Sequence, residues 1–191
     1  MRRFVESLRE GMDVDKAAAQ AGLDGERADQ FLRSLSEYLS QHAKMPSEPA
    51  YTPKSGLHVS AVSDGASRGN PGDAACAVII SNADGEELLR RAKLLGKTTN
   101  NVAEYEGVLL AIELAQTLGA SGLSLMLDSE LVVKQLKGEY KVKNATLKPL
   151  CERSLLLARK FERFTVSHVP RAQTTEADKL ANAALDGEDF E

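Results

Sequence analysis

Three consecutive strand-like runs, followed by an alternation of helices and strands, constrain this chain more than any other feature. Residues 57–63 (LHVSAVS) alternate apolar with small or polar side chains, and residues 74–81 form a continuous apolar run rich in Val and Ile. Residues 82–85 read as a turn and 86–95 as the partner strand of a hairpin. Helical spacing then takes over. Asn100 or Asn101 can cap a helix that buries Val102, Tyr105, Val108, Leu109, Ile112 and Ala115 and stops at Gly119. A short strand over 122–127 leads into a helix over 129–136. A further helix spans 146–161, with Pro149 tolerable in its first turn, and a strand follows over 164–169. Thr174 or Thr175 caps a last helix that runs through Leu185. An antiparallel meander followed by this alternation predicts an α/β fold, a mixed sheet with helices on its faces.

Ahead of that pattern the chain changes character. Residues 44–56 (KMPSEPAYTPKSG) hold three prolines and no periodic apolar face, which predicts a linker. Residues 1–43 read as helices: Phe4, Val5, Leu8 and Met12 share one face, and Ala17, Ala18 and Ala21 form a short helix stopped by Gly22. Asp24 then opens a longer helix striped by Ala28, Phe31, Leu32, Leu35, Tyr38 and Leu39. Short helix, Gly-Leu turn and long helix look like a helix-turn-helix. A groove-reading helix needs a basic exposed face. Here Glu26, Arg27, Asp29, Gln30, Arg33 and Glu37 nearly cancel, which favours a protein-contact or packing role over contact with nucleic acid. The expected organisation is a small helical domain over 1–43, a linker over 44–56 and the α/β domain over 57–191.

No apolar run nears the length of a membrane span, and MRRFVESLRE alternates charge where a signal peptide would turn apolar. A cytoplasmic protein without membrane contact is expected. Cys76 and Cys151 lack metal-ligand spacing and read as buried thiols of a reducing compartment. The net charge of −4, from 24 basic and 28 acidic residues, argues against a non-specific polyanion binder. It leaves room for carboxylates gathered around cations, whose charge would offset theirs.

Four acidic residues stand where ligands bind in α/β sheets. Asp64 follows the first strand and Asp128 the fourth, Glu104 lies in the first turn of one helix, and Asp178 in the first turns of the last. The first and fourth strands are predicted neighbours, so Asp64 and Asp128 can converge, with Glu104 and Asp178 closing the cluster from flanking helices. Singly, each has a duller explanation as a turn residue or a partner of a helix dipole. Together, bare carboxylates repel and raise one another's pKa, a cost that divalent cations remove. Oxygen ligands without Cys or paired His suit magnesium or manganese.

The blocks DGASRGNPG, TTNNVAEYEGVLLAIELA, LDSELVVKQL and HVPR with EADKLANAAL resemble, in order, the four signature blocks of type 1 ribonucleases H, over residues 57–186. The resemblance implies a five-stranded mixed sheet flanked by helices. It also implies a metal-dependent endonuclease that cuts the RNA strand of RNA–DNA hybrids, leaving 5′-phosphate and 3′-hydroxyl ends. It gives catalytic and metal-binding roles to Asp64, Glu104, Asp128 and Asp178, with two Mg2+ ions shared among them, Asp64 bridging, and Mn2+ as a substitute. It sets Asn70 at the minor groove, Asn100 and Asn101 at the nucleic-acid strands and Thr99 at a DNA phosphate. Ser129 and Glu130 fall where the family contacts RNA. For Thr99 and the asparagines helix capping is the competing reading, and one residue can do both.

Two departures from the family pattern matter. Well-studied members carry a loop histidine before the last carboxylate. Here His168 falls in the strand run TVSHV and receives no role, and Arg171 in the short loop after it is the substitute candidate, with a surface salt bridge as its alternative. The usual asparagine four positions before the last carboxylate is Thr174. Residues 138–148 (GEYKVKNATLK) are also too few for the basic, aromatic-bearing handle of some members. That leaves Lys134, Lys137, Lys141, Lys143 and Lys148 to contact phosphates or to form a solvated basic face. Weak hybrid affinity of the catalytic part is then expected, with the N-terminal helices or a protein partner compensating. A non-catalytic hybrid-binding module of the same fold is the alternative function, against which the complete carboxylate set speaks. TTNN and DGASRGNPG point away from a resolvase or transposase core.

Overall fold

The computed structural model describes Tyr51 and residues 54–187, and the helices expected over 1–43 lie outside the described residues. Five strands, β1 (Lys54–Gly69), β2 (Gly72–Ser81), β3 (Glu87–Thr98), β4 (Ala120–Leu127) and β5 (Arg163–His168), form one sheet in the order β3-β2-β1-β4-β5. β1 to β3 are antiparallel neighbours, whereas β4 runs parallel to β1 and β5 parallel to β4, so the sheet is mixed as expected. Helices α1 (Asn100–Thr117), α2 (Glu130–Leu136) and α3 (Leu147–Ala158) connect the later strands, and α4 (Thr175–Asp186) follows β5 after a 3-10 turn at Arg171–Gln173.

Period-two alternation divides the side chains of the sheet between two cores. The larger lies under α1 to α3 and contains Val59, Ala61, Val78, Ile80, Leu123 and Leu125 from the strands, with Tyr105, Val108, Ile112 and Phe161 packed on them. The smaller is alanine-rich: Ala66, Ala75 and Ala77 meet Leu180, Ala181 and Ala184 of α4. Such small side chains let α4 lie close to β1 and β2. Cys76 and Cys151 are free and buried, and burial pushes the Cys76 thiol up to about 12, so it stays protonated and inert at neutral pH. No described helix is long and apolar enough to cross a membrane.

Several boundaries differ from the sequence expectation, each for a physical reason. β1 does not end before Asp64. Its parallel pairing with β4 stops at Val62↔Met126, but its antiparallel pairing with β2 continues through Asp64↔Ala77 to Gly69↔Gly72. The glycine-rich segment is therefore mostly strand, with only Asn70 and Pro71 at the tip, and its small side chains give no alternation by which to recognise it. Strand pairing likewise begins at Lys54, inside the expected linker, and the Tyr51 hydroxyl donates to the Ala120 carbonyl while its ring meets Phe161 edge-on at 5.7 Å.

The caps shift as well. Thr99, not Asn100 or Asn101, caps α1, its Oγ1 accepting from Val102 N at 3.4 Å. At α3 the N-cap residue Thr146 makes no side-chain cap bond, and Asn144 Oδ1 accepts instead from Thr146 N at 2.8 Å and Leu147 N at 3.1 Å. The hydroxyls of Thr174 and Thr175 turn back to the Arg171 carbonyl at 3.0 and 3.2 Å and cap nothing.

Candidate active site

At the end of the sheet where β1 loses β4 as a neighbour, a cleft of about 280 Å³ is lined by Asp64, Glu104, Asp128 and Asp178 together with Asn100, Arg171, Asn182 and residues 65–67 of β1. The four carboxylates come from four elements. Asp64 sits in β1, two residues past its last pairing with β4, and Asp128 immediately follows β4. Glu104 lies in the first turns of α1 and Asp178 in those of α4. What brings α1 so close to β1 is Gly65: a Cβ there would stand 2.4 Å from Glu104 N and 2.5 Å from the Ala103 carbonyl carbon. No residue but glycine allows that approach.

Three of the four carboxylates, those of Asp64, Glu104 and Asp178, have protein donors. Gly65 N donates to Asp64 Oδ1 at 2.8 Å. Asn100 Nδ2 donates to Glu104 Oε1 at 2.9 Å, and Ser129 Oγ to Glu104 Oε2 at 2.6 Å. The Arg171 guanidinium lies 3.3 Å from Asp178 Oδ1, and Asn182 Nδ2 donates to the Asp178 carbonyl at 2.9 Å. Burial, reinforced by the charges of Asp128 and Asp178, pushes the Asp64 carboxyl up to about 7. Burial also raises Glu104, as does Asp128, against the lowering effect of the bonds from Ser129 and Asn100.

The cluster thus shares one cleft and one electrostatic field. Among the described residues, however, no three His, Cys, Asp or Glu side chains already stand in an arrangement that holds a metal ion. Gly65, Asn100, Ser129 and Arg171 already engage oxygens of Asp64, Glu104 and Asp178. By donor type the set fits a hard divalent cation, with four carboxylates and no sulfur or imidazole.

The other expected site residues divide between two places. Asn100 and Arg171 line the carboxylate cleft. Asn70, Thr99 and Asn101 line a neighbouring cleft of about 380 Å³ with Lys97, Asn144 and Thr146. Asn70 Oδ1 accepts from Asn100 N at 3.2 Å, which leaves its amide group free to donate outward. Ser129 lines neither cleft, its hydroxyl being spent on Glu104 and, at 3.5 Å, on Val132 N. His168 is a strand residue, as expected, although β5 ends with it and not at Val169. Of the five lysines, Lys134 pairs with Glu130 and lies 5.0 Å over the Tyr140 ring, and Lys148 stands 3.9 Å from Glu152. Lys137, Lys141 and Lys143 are exposed.

Sequence reasoning missed Asn182, Lys97, Asn144 and Thr146. The first was recoverable, because it lies one turn from Asp178 on the same helical face. Asn144 and Thr146 reach their cleft only through the tertiary fold.

Comparison with known proteins agrees with this geometry. The reverse transcriptase-like family matches residues 62–184. A bifunctional protein of Mycobacterium tuberculosis is 44% identical over 124 residues, which cover 64% of this chain and 34% of that protein, so the chain spans about a third of that relative's length. Ribonuclease HI of Halobacterium salinarum is 40% identical over 134 residues, 70% of this chain and 67% of the relative. The crystal structure of RNase H1 from that archaeon superposes with a TM-score of 0.67, covering 68% of this chain and 98% of that one. LC11-RNase H1, isolated from compost and solved in complex with an RNA/DNA hybrid, superposes with a TM-score of 0.65 at 36% identity, covering 68% and 97%. The chain belongs to the ribonuclease HI family.

Proposed function

We propose that the chain is a divalent-metal-dependent endonuclease that hydrolyses the RNA strand of RNA–DNA hybrids, leaving 5′-phosphate and 3′-hydroxyl ends. The observation that carries this reading is the convergence of Asp64, Glu104, Asp128 and Asp178, from four separate elements, on one cleft. A structural protein gains nothing from carboxylates placed where they raise one another's pKa. Asp64, Glu104, Asp128 and Asp178 would hold Mg2+ or Mn2+. When bound, such cations supply a nucleophilic water of lowered pKa and positive charge at the leaving 3′-oxygen of an in-line displacement.

The protein's own residues prepare the rest. Asn100 and Ser129 fix the Glu104 carboxylate, so its orientation is set before substrate arrives. Arg171, exposed beside Asp178, presents guanidinium donors to a phosphate at the cleft and serves where other members use a histidine. Asn70, Thr99, Asn101 and Lys97 offer amide, hydroxyl and ammonium donors along the neighbouring cleft, the pattern that suits the backbone of the DNA strand. Discrimination for RNA rests on 2′-hydroxyl contacts at the cleaved strand. The relative solved on an RNA/DNA hybrid supports that substrate class.

One assay tests the proposal: labelled RNA–DNA hybrid, double-stranded RNA, duplex DNA and a four-way junction, each with Mg2+, Mn2+ or EDTA. Cutting confined to the RNA of the hybrid and abolished by EDTA is the expected result. Binding without cutting would assign a non-catalytic module, and cutting of the junction a resolvase.

A further inference from the structure

Ser63, the residue before Asp64, has chemistry that the proposed reaction leaves unused. By strand alternation it faces α1 together with Gly65, while Asp64 turns to the opposite side. It is 1% exposed, and its Oγ is the one buried side-chain polar atom without a hydrogen-bond partner among the described residues. Native proteins rarely leave a buried hydroxyl unsatisfied, because its lost hydration is then uncompensated. Space for it is made by Gly107 of α1, where an added Cβ would stand 2.3 Å from Ser63 Oγ.

Next to Ser63 lies a small cavity of about 10 Å³, lined also by Asp64, Glu104, Leu127, Asp128 and Ser129. That volume is about what a single water occupies, and two serines and three carboxylate residues are among those that line it. We propose that this cavity is a binding site for one buried water that joins Ser63 to the carboxylates of Glu104 and Asp128 from behind. The Ser63 hydroxyl donates to the water oxygen, and the two water hydrogens go to carboxylate oxygens. Glu104 already accepts from Asn100 and Ser129, yet each carboxylate oxygen has a second lone-pair site. The bridge therefore satisfies every group and leaves the lone pairs on the cleft side available. It makes Ser63 a positioning residue: it holds two mutually repelling carboxylates in place without itself meeting substrate.

The water site stands on geometry alone. Its consequence for metal binding rests on the nuclease reading, and the experiment separates the two. High-resolution crystals of the full chain are expected to show one ordered water within hydrogen-bond distance of Ser63 Oγ and of a Glu104 or Asp128 oxygen. Ser63→Ala is expected to lose that water and to bind Mn2+ roughly tenfold more weakly by calorimetry, the low end of what removal of outer support costs a metal site. A serine with only a packing role would change the melting temperature and leave Mn2+ affinity alone. A dry cavity in the wild-type protein overturns the proposal, as does a Ser63→Ala variant that matches wild type in Mn2+ affinity. Wild-type crystals with the water present and no Mn2+ uptake would sink the metal reading instead and leave the water site intact.

Discussion

Asp64 is held in the folded protein at a cost, and that cost can be measured. In the unfolded chain its carboxyl ionises near 4, whereas burial and the charges of Asp128 and Asp178 keep it protonated in the fold up to about 7. Between those values the folded state binds more protons than the unfolded one. Its contribution to stability is therefore complete below the unfolded pKa and lost as pH rises through the folded one. In EDTA, the wild-type protein should lose melting temperature relative to Asp64→Asn from about pH 4 to about pH 7, and the variant should be the more stable at pH 8. Mg2+ should restore the wild type at pH 8, and the variant should cut no hybrid. A melting-temperature difference that does not change with pH would contradict this account. Ser129 gives a second prediction at this scale. Ser129→Ala removes both a donor to Glu104 and the cap of α2, and should cost about 1–3 kcal/mol in urea unfolding while weakening Mn2+ binding. The four carboxylates were legible because each stands close to an expected strand end or helix start, although β1 runs on past Asp64 and Glu104 lies just beyond the first turn of α1. The service that Ser129 gives Glu104 was not, since it spans 25 residues and depends on how α1 and α2 meet.

At the scale of elements, a glycine decides where the site forms. Gly65 lets β1 touch the start of α1, and the order of elements that produces this contact was readable from hydrophobic periodicity. The extent of β1 was not, because residues 65–72 carry too little side chain to show which face is buried. Gly65→Ala places a methyl group against the backbone of Ala103 and Glu104, neither of which can yield as a flexible side chain would. It should destabilise the protein by about 1–3 kcal/mol, and, since a shift of about 1 Å at a catalytic group can cost 10²-fold, cleavage should fall by a comparable factor. Gly85→Ala is the control: its φ is 84° with nothing near an added Cβ, so it should lose about 1–2 kcal/mol through backbone strain and leave cleavage unchanged. Equal cleavage by the two variants would mean that the β1–α1 contact does not set the position of Glu104.

For the molecule as a whole, the sequence put the boundary of the catalytic part too late. Prolines at 46, 49 and 53 made all of 44–56 read as linker, but a linker reading by composition is blind to a single aromatic residue that finds a place to pack. Tyr51 belongs to the same compact unit as the sheet, bonded to Ala120 and edge-on to Phe161. Removing residues 1–50 should leave the stability of the catalytic unit intact. Removing 1–54 should cost it about 1–3 kcal/mol, from the lost ring pair and hydrogen bond. Comparing hybrid affinity of the full chain and the 51–191 fragment then tests whether the first 50 residues compensate for the short 138–148 segment, and unchanged affinity would remove that role. The claim on which all of this depends is that four acids distant in sequence form one metal centre. Anomalous diffraction from crystals of the full chain saturated with Mn2+ tests it most directly. The expected result is an anomalous peak in the cleft within ligating distance of Asp64 and at least one of Glu104, Asp128 and Asp178. A cleft without such a peak at saturating Mn2+ would contradict it.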